Sequence, residues 1–241
     1  YIVGNGSNLL VSDQGYEGVI IQIYKQMNRV EITENEIHAQ AGALLSMIAN
    51  RAMEAELTGF EFAAGIPGTL GGACVMNAGA YGGEMKDVLE TVTVLTRDGD
   101  VKTLTKDELE LGYRTSVIAK KDYIVLSAVI RLENGKKEEI KAVMDDLKEK
   151  RITKQPLEYP SAGSTFKRPE GYFAGKLIQD AGLRGFQVGG AQVSEKHCGF
   201  VVNKDQATAA DVMNLMNQVS DKVYEMSGVR LEPEVKRLGV F

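Results

Sequence analysis

Side chains that staple or ligate are scarce in this chain. Among 241 residues there are two cysteines, Cys74 and Cys198, and two histidines, His38 and His197. No Cys-x-x-Cys spacing occurs, so a disulfide framework and a zinc site are both unsupported. No metal is expected, and both cysteines read as small buried residues of a reduced, cytoplasmic protein. A basic surplus is missing as well, the formal net charge being −5. Non-specific nucleic-acid binders and acidic-membrane binders need a basic surface, so neither partner is expected and any anion must be held locally. No internal repeat or low-complexity tract occurs, and no signal peptide is visible in the sequence. The chain opens on Tyr1, at a strand and without a methionine, and the start of the natural protein is expected to be missing. With 44% hydrophobic and 25% charged residues the composition is globular, enough for one large domain or two smaller ones.

Charge is absent altogether from one long stretch, Phe62 to Gly83, FAAGIPGTLGGACVMNAGAYGG, which holds seven glycines and one proline. As a membrane span it is poor, because Pro67, Asn77 and the glycines spoil an apolar helix. As a loop it can be a structural series of turns, or it can present main-chain N–H groups to a bound phosphate without a Cβ in the way. A second run favours the phosphate reading. Gly4-Asn5-Gly6-Ser7-Asn8 sits between the apolar segments Tyr1-Ile2-Val3 and Leu9-Leu10-Val11, a strand, turn and strand. Neither run closes with the Lys-Ser or Lys-Thr of a P-loop, and Leu9 stands where the dinucleotide fingerprint wants glycine. Rossmann and P-loop folds are therefore excluded.

The first 135 residues read mainly as strands, over 19–23, 36–41, 91–95 and 123–132, with Asp98-Gly99 marking a tight hairpin. One helix interrupts them, Leu45 to Leu57, with Leu45, Ile48, Ala49 and Ala52 on one face and Gly59 as its stop. Residues 136–151 form a charged amphipathic helix with Ile140, Val143, Met144 and Leu147 as its buried stripe. A proline-bearing connection follows, with Pro156 and Pro160. The second unit holds a short helix around 173–181, a strand over 198–202 and a helix from about Thr208 to Met226. Val212, Leu215, Met216, Val219, Val223 and Met226 line that last helix, and Gly228 ends it.

Three polar clusters remain, around Arg114, around Ser164 and around Glu234, and each taken singly has a structural explanation as a turn or a frayed end. Together they are recognisable. GNGSNLLV at 4–11, GIPGTLGGACVMNAGAYGGE at 65–84, GYRTS at 112–116, AGSTFKRP at 162–169 and LEPEV at 231–235, in that order, closely resemble the UDP-N-acetylenolpyruvoylglucosamine reductase family. That family is also called UDP-N-acetylmuramate dehydrogenase and makes a peptidoglycan precursor in bacteria. The resemblance implies an α+β fold: a vanillyl-alcohol-oxidase-like FAD-binding domain, its N-terminal part missing, over 1–153. A smaller α+β substrate-binding domain follows over 154–232, and a tail over 233–241 returns to the first domain.

The same resemblance implies non-covalent FAD, bound through Gly4, Asn5, Gly6, Ser7, Asn8, Gly65, Pro67, Gly68, Thr69, Gly71, Gly72, Asn77, Gly79 and Tyr81. No histidine lies in either glycine run to tether the ring, and Cys74 stands at an unreactive position. NADPH is the co-substrate, and the enolpyruvyl ether of UDP-N-acetylglucosamine, a small nucleotide sugar, takes a hydride at C3. Three residues are implied as catalytic. Arg114 fits the stabilisation of the carboxylate enediolate, because a guanidinium stays charged and grips in a fork. Glu234 donates a hydrogen bond if burial keeps it protonated, and Ser164 gives the proton to C2. Tyr113, Lys154, Lys167 and Arg168 are implied on the substrate side; Arg168 stands where some members carry asparagine. The short span between Arg114 and Ser164 matches the branch without the inserted tyrosine loop, and the protein is expected to act as a monomer. Two other readings stay open at this point: another FAD oxidoreductase of the same fold acting on an alcohol or hydroxy acid, and a nucleotide-sugar binder without flavin.

Overall fold

Alternating apolar residues build the sheet at the centre of the first unit. In a computed structural model that describes residues 1–241, strands Val30–Thr33, Glu36–Gln40, Leu89–Leu95, Val101–Thr105 and Ile124–Arg131 form one antiparallel sheet. Its order runs 101–105, 89–95, 124–131, 36–40, 30–33. Ile37, Ala39, Val92, Val94, Val125, Ala128 and Ile130 are buried; the two-residue strand period accounts for them except between Val125 and Ala128, where a bulge shifts the register. Asp98-Gly99 closes the hairpin as its composition indicates, with Gly99 at φ +90°.

Two helices cover that face. Leu45–Glu54 buries Leu45, Ile48, Ala49 and Ala52, the expected stripe, but ends before Leu57. Glu56 adopts φ +57° directly after it, and Leu57–Thr58 pairs as a strand with Glu133–Asn134. The helix thus ends at Glu54, five residues ahead of Gly59, and the chain enters strand pairing at Leu57. Leu70–Met76, inside the charge-free stretch, is the second helix and packs on the central strand 124–131. The long charged helix is Lys137–Lys154. Ile140 is its one fully buried residue, Met144 packs against the core, and Val143 is 47% exposed. Its apolar stripe is therefore narrower than the sequence suggests. The expected strand over 19–23 shrinks to Ile21–Gln22, because its only partner is the two-residue strand Ile2–Val3.

The chain divides into two units, one of residues 1–6 and 19–151, the other of residues 7–18 and 152–241. In the second, strands Gln187–Val188, Ala191–Val193 and Val201–Asn203 form an antiparallel sheet, covered by helix Ala209–Ser227. Leu215, Met216, Val219 and Val223 are buried from that helix, whereas Met226 is 67% exposed at its last turn. Thr208 and Asp211 form its capping box, Asp13 accepts from the N–H groups of Ala209 and Ala210, and Gly228 ends it at φ +69°. Strand Lys236–Leu238 pairs in parallel with Leu9–Val11. The C-terminal tail thus returns to an N-terminal segment that itself packs in the second unit. No helix is long and apolar enough to cross a membrane.

Candidate active site

Gly4, Asn5 and Gly6 of the first glycine run meet the second run in the first unit. The N–H of Leu45 donates to the Gly68 carbonyl at 3.1 Å, and those of Leu70 and Gly71 donate to Ala43 and Ala41 at 2.8 Å. The charge-free stretch is thereby zipped along residues 41–45. Gly71 suits this approach, since a Cβ there would lie 3.1 Å from the Ala41 side chain and 3.2 Å from its carbonyl oxygen, a tight fit. The Asn5 amide donates to the Pro67 carbonyl at 2.8 Å, and a Cβ on Gly4 would overlap the Thr69 hydroxyl. The N–H groups of Asn5, Gly6, Gly68 and Thr69 find no acceptor within the chain. Donors without acceptors, beside the exposed and uncharged residues Asn5, Gly6 and Pro67, suit an anion such as a dinucleotide diphosphate. The residues present therefore fit FAD. Cys74, on the buried face of helix 70–76, has its thiol pushed up to about 12 by burial and is no nucleophile for a covalent tether.

Arg114 is held by the same stretch. Gly112 and Thr115 exchange two main-chain hydrogen bonds at 3.1 and 3.2 Å, leaving Tyr113 and Arg114 at the tip of a tight turn with Arg114 at φ +54°. The guanidinium donates to the Gly79 carbonyl at 3.4 Å and stacks 5.2 Å from the Tyr113 ring. Ser116 anchors the far side of the turn, donating to the Val75 carbonyl at 2.6 Å while capping the short helix Val117–Lys120. Asn77 anchors the near side: its amide donates to Glu84 at 2.6 Å and to the Gly112 carbonyl at 3.0 Å, and its oxygen accepts from the Lys86 N–H at 2.8 Å. With its side chain fully buried and so engaged, Asn77 locks the arginine turn to the glycine stretch. Every polar atom of that side chain is committed to the protein. Gly79 and Tyr81 lie on the hairpin Gly79–Ala80/Gly83–Glu84, where Tyr81 is exposed at φ +54°.

Ser164 and Glu234 come together in the second unit. Residues 164–166 run as an extended segment between two others, Ser164 bridging Phe200 and Phe166 bridging Pro233. The Glu234 N–H donates to the Thr165 carbonyl at 2.9 Å, one residue from Ser164, and the Asn8 amide donates to the Glu234 carbonyl at 3.2 Å. Thr165, missed in the sequence reading, fixes this junction: its buried hydroxyl accepts from the Val201 N–H at 2.8 Å. Ser164 is exposed and Glu234 buried. Lys167 pairs with Glu232, Arg168 stacks 4.0 Å from the Phe173 ring, and Lys154 is exposed at the end of its helix. Arg151 is a further residue that sequence reasoning passed over. A cation inside a charged helix carries no local signal, and only its packing against Gly65 draws attention to it.

These features agree with comparisons to known proteins. A family profile described as an FAD binding domain matches residues 1–105, and one described as the C-terminal domain of UDP-N-acetylenolpyruvoylglucosamine reductase matches 155–238. The UDP-N-acetylenolpyruvoylglucosamine reductase of Agathobacter rectalis is 60% identical, over 100% of this chain and 80% of its own length. That of Clostridioides difficile is 55% identical, over 99% and 78%. The crystal structure of the Thermus caldophilus reductase superposes with a TM-score of 0.86 at 37% identity, over 99% of this chain and 85% of that one. The fold is accordingly an FAD-binding domain joined to a smaller α+β domain, and the chain belongs to the UDP-N-acetylenolpyruvoylglucosamine reductase family.

Proposed function

We infer that this protein is the FAD-dependent oxidoreductase that converts the enolpyruvyl ether of UDP-N-acetylglucosamine to UDP-N-acetylmuramate with NADPH, a step of peptidoglycan precursor synthesis. The observation that carries this reading is 60% identity to a reductase of that name across the whole chain. Bound FAD supplies the hydride equivalent. The chain's own residues must then bind a dianionic diphosphate, hold the substrate carboxylate and deliver one proton. The N–H groups of Asn5, Gly6, Gly68 and Thr69 are suited to the first task. Arg114, fixed by Gly79 and Tyr113, holds the carboxylate of the substrate and stabilises the charge that develops on it after hydride addition at C3. Ser164 gives its proton to C2, and Glu234, joined to it through Thr165, donates the accompanying hydrogen bond. Lys154, Lys167 and Arg168 attract the substrate diphosphate, Lys167 exchanging Glu232 for it. In this reading residues 1–153 are the FAD-binding domain and 154–232 the substrate-binding domain, and the protein works as a cytoplasmic monomer without nucleic-acid or membrane partners.

Half-reactions test these roles. The purified chain should show a flavin absorption spectrum, NADPH should bleach it, and the enolpyruvyl substrate should restore it. Ser164→Ala should bleach at a near-normal rate but recover colour slower by about 10²–10⁴. Slow bleaching with normal recovery would remove Ser164 from the proton-donor role.

A further inference from the structure

Arg151 lies outside both family profiles, which stop at residue 105 and resume at 155. It is nonetheless built into the charge-free stretch. A Cβ on Gly65 would stand 3.3 Å from both Cδ and Nη1 of Arg151, so the guanidinium lies directly over that glycine. The Tyr81 phenol lies within electrostatic reach of it. Other arginines of the chain have an acceptor: Arg51 the Val30 carbonyl, Arg114 the Gly79 carbonyl, Arg184 the Glu195 carbonyl and the Gln179 amide. Arg151 makes no hydrogen bond and no ion pair with the protein, although it is partly buried. Burial lowers its affinity for a proton below the ordinary arginine value. A guanidinium offers five donors and keeps its charge, so leaving it sheltered without an acceptor costs free energy unless an anion arrives. Residues 62–83 contain no carboxylate to serve.

The anion must therefore come with a ligand, and on the functional reading above that ligand is FAD. Its diphosphate already has donors in Asn5, Gly6, Gly68 and Thr69. Arg151 instead touches Gly65 and stands near Tyr81, on the hairpin whose Gly79 carbonyl holds Arg114. A hydride brings the ring two electrons and one proton, which leaves one net negative charge that the oxidised ring lacks. We propose that Arg151 is the cation that pairs with the charge acquired by the flavin ring on two-electron reduction, and so sets how readily the bound flavin is reduced. Charge near the ring is one of the protein's means of tuning a cofactor.

Anaerobic, dye-equilibrated reduction of the FAD-loaded full chain tests this. Arg151→Met should weaken binding of reduced relative to oxidised FAD by about tenfold, a midpoint potential about 30 mV more negative for a two-electron couple. Arg151→Lys, which keeps the charge, should recover more than half of that shift. Gly65→Ala, which keeps the arginine but pushes it away, should move the potential in the same direction by less. An unchanged potential in Arg151→Met, with oxidised and reduced FAD weakened alike, would overturn the proposal and leave a fixed diphosphate contact or mere packing. Should Arg151→Met not fold, Gly65→Ala decides the matter, and an unaltered potential there overturns it equally. A wild-type chain that takes up no FAD would overturn the functional reading itself, a result distinct from a loaded variant with a normal potential.

Discussion

Gly4 sits where its missing side chain leaves room for the hydroxyl of Thr69. Gly4→Ala forces one of the two to move, and overpacking of this kind costs about 1–3 kcal/mol. The expected outcome is a lower urea midpoint and a purified protein with reduced flavin content. Unaltered flavin content would show that the two bends need not touch to bind the cofactor. His197 gives a second test at this scale. Its Nδ1 accepts from the Gly199 N–H at 3.0 Å, its ring packs edge-on to Phe200 at 5.0 Å, and burial, the largest cause, lowers its pKa below 6.5. The folded state therefore holds fewer protons on this ring than the unfolded chain does just below pH 6.5. The associated stability is present above 6.5 and is lost as pH falls through the depressed folded value. An NMR titration should place the His197 midpoint below 6.5, and urea unfolding should give less stability at about pH 5.5 than at about pH 7.5. A His197 midpoint at or above 6.5 would contradict the burial seen here.

At the scale of elements, the arginine turn and helix 70–76 behave as one piece because Asn77 belongs to both. Asn77 ends the helix at φ +47° and ties it to Gly112, Glu84 and Lys86. Asn77→Gly keeps the backbone conformation but strands those partners, a loss of about 1–3 kcal/mol. Asn77→Ala adds about 1–2 kcal/mol of left-handed strain. Both should lower kcat/KM by loosening Arg114, with Ala the less stable of the two on urea unfolding; equal stability of Ala and Gly would mean that the turn relaxes. This coupling was not legible in the sequence. The motif around Arg114 could be recognised, and so could the buried stripe of helix 45–54, whose period is set locally. Helix 70–76 could not, because Gly71 and Gly72 depress helix propensity and the helix is imposed by its hydrogen bonds to residues 41–45. The order Ser164, Thr165, Glu234 was likewise hidden, since it depends on a bridge between segments almost seventy residues apart in sequence. Helical spacing overstates the apolar stripe of helix 137–154 because it cannot tell how deep a surface helix sits, as exposed Val143 shows.

For the molecule as a whole, net charge −5 opposes the approach of a dianionic cofactor and of a dianionic substrate alike. The two differ in the groups that receive them. In the proposed reading FAD is met by main-chain N–H groups of Asn5, Gly6, Gly68 and Thr69 and by the partly buried Arg151, none of which depends on exposed ionic side chains. In the same reading the substrate is met by Lys154, Lys167 and Arg168, exposed or partly exposed cations that salt screens, and Lys167 must first leave its ion pair with Glu232. Screening acts on exposed charges and much less on sheltered dipoles. Raising ionic strength from about 0.05 to about 0.5 M should therefore leave the FAD dissociation constant within about threefold, while KM for the enolpyruvyl substrate rises by about tenfold. Fluorescence titration of FAD and initial rates across the same salt series measure the two. If FAD affinity collapses with salt as steeply as the substrate KM rises, the cofactor is held by surface cations, and the uncharged bends lose their assigned part.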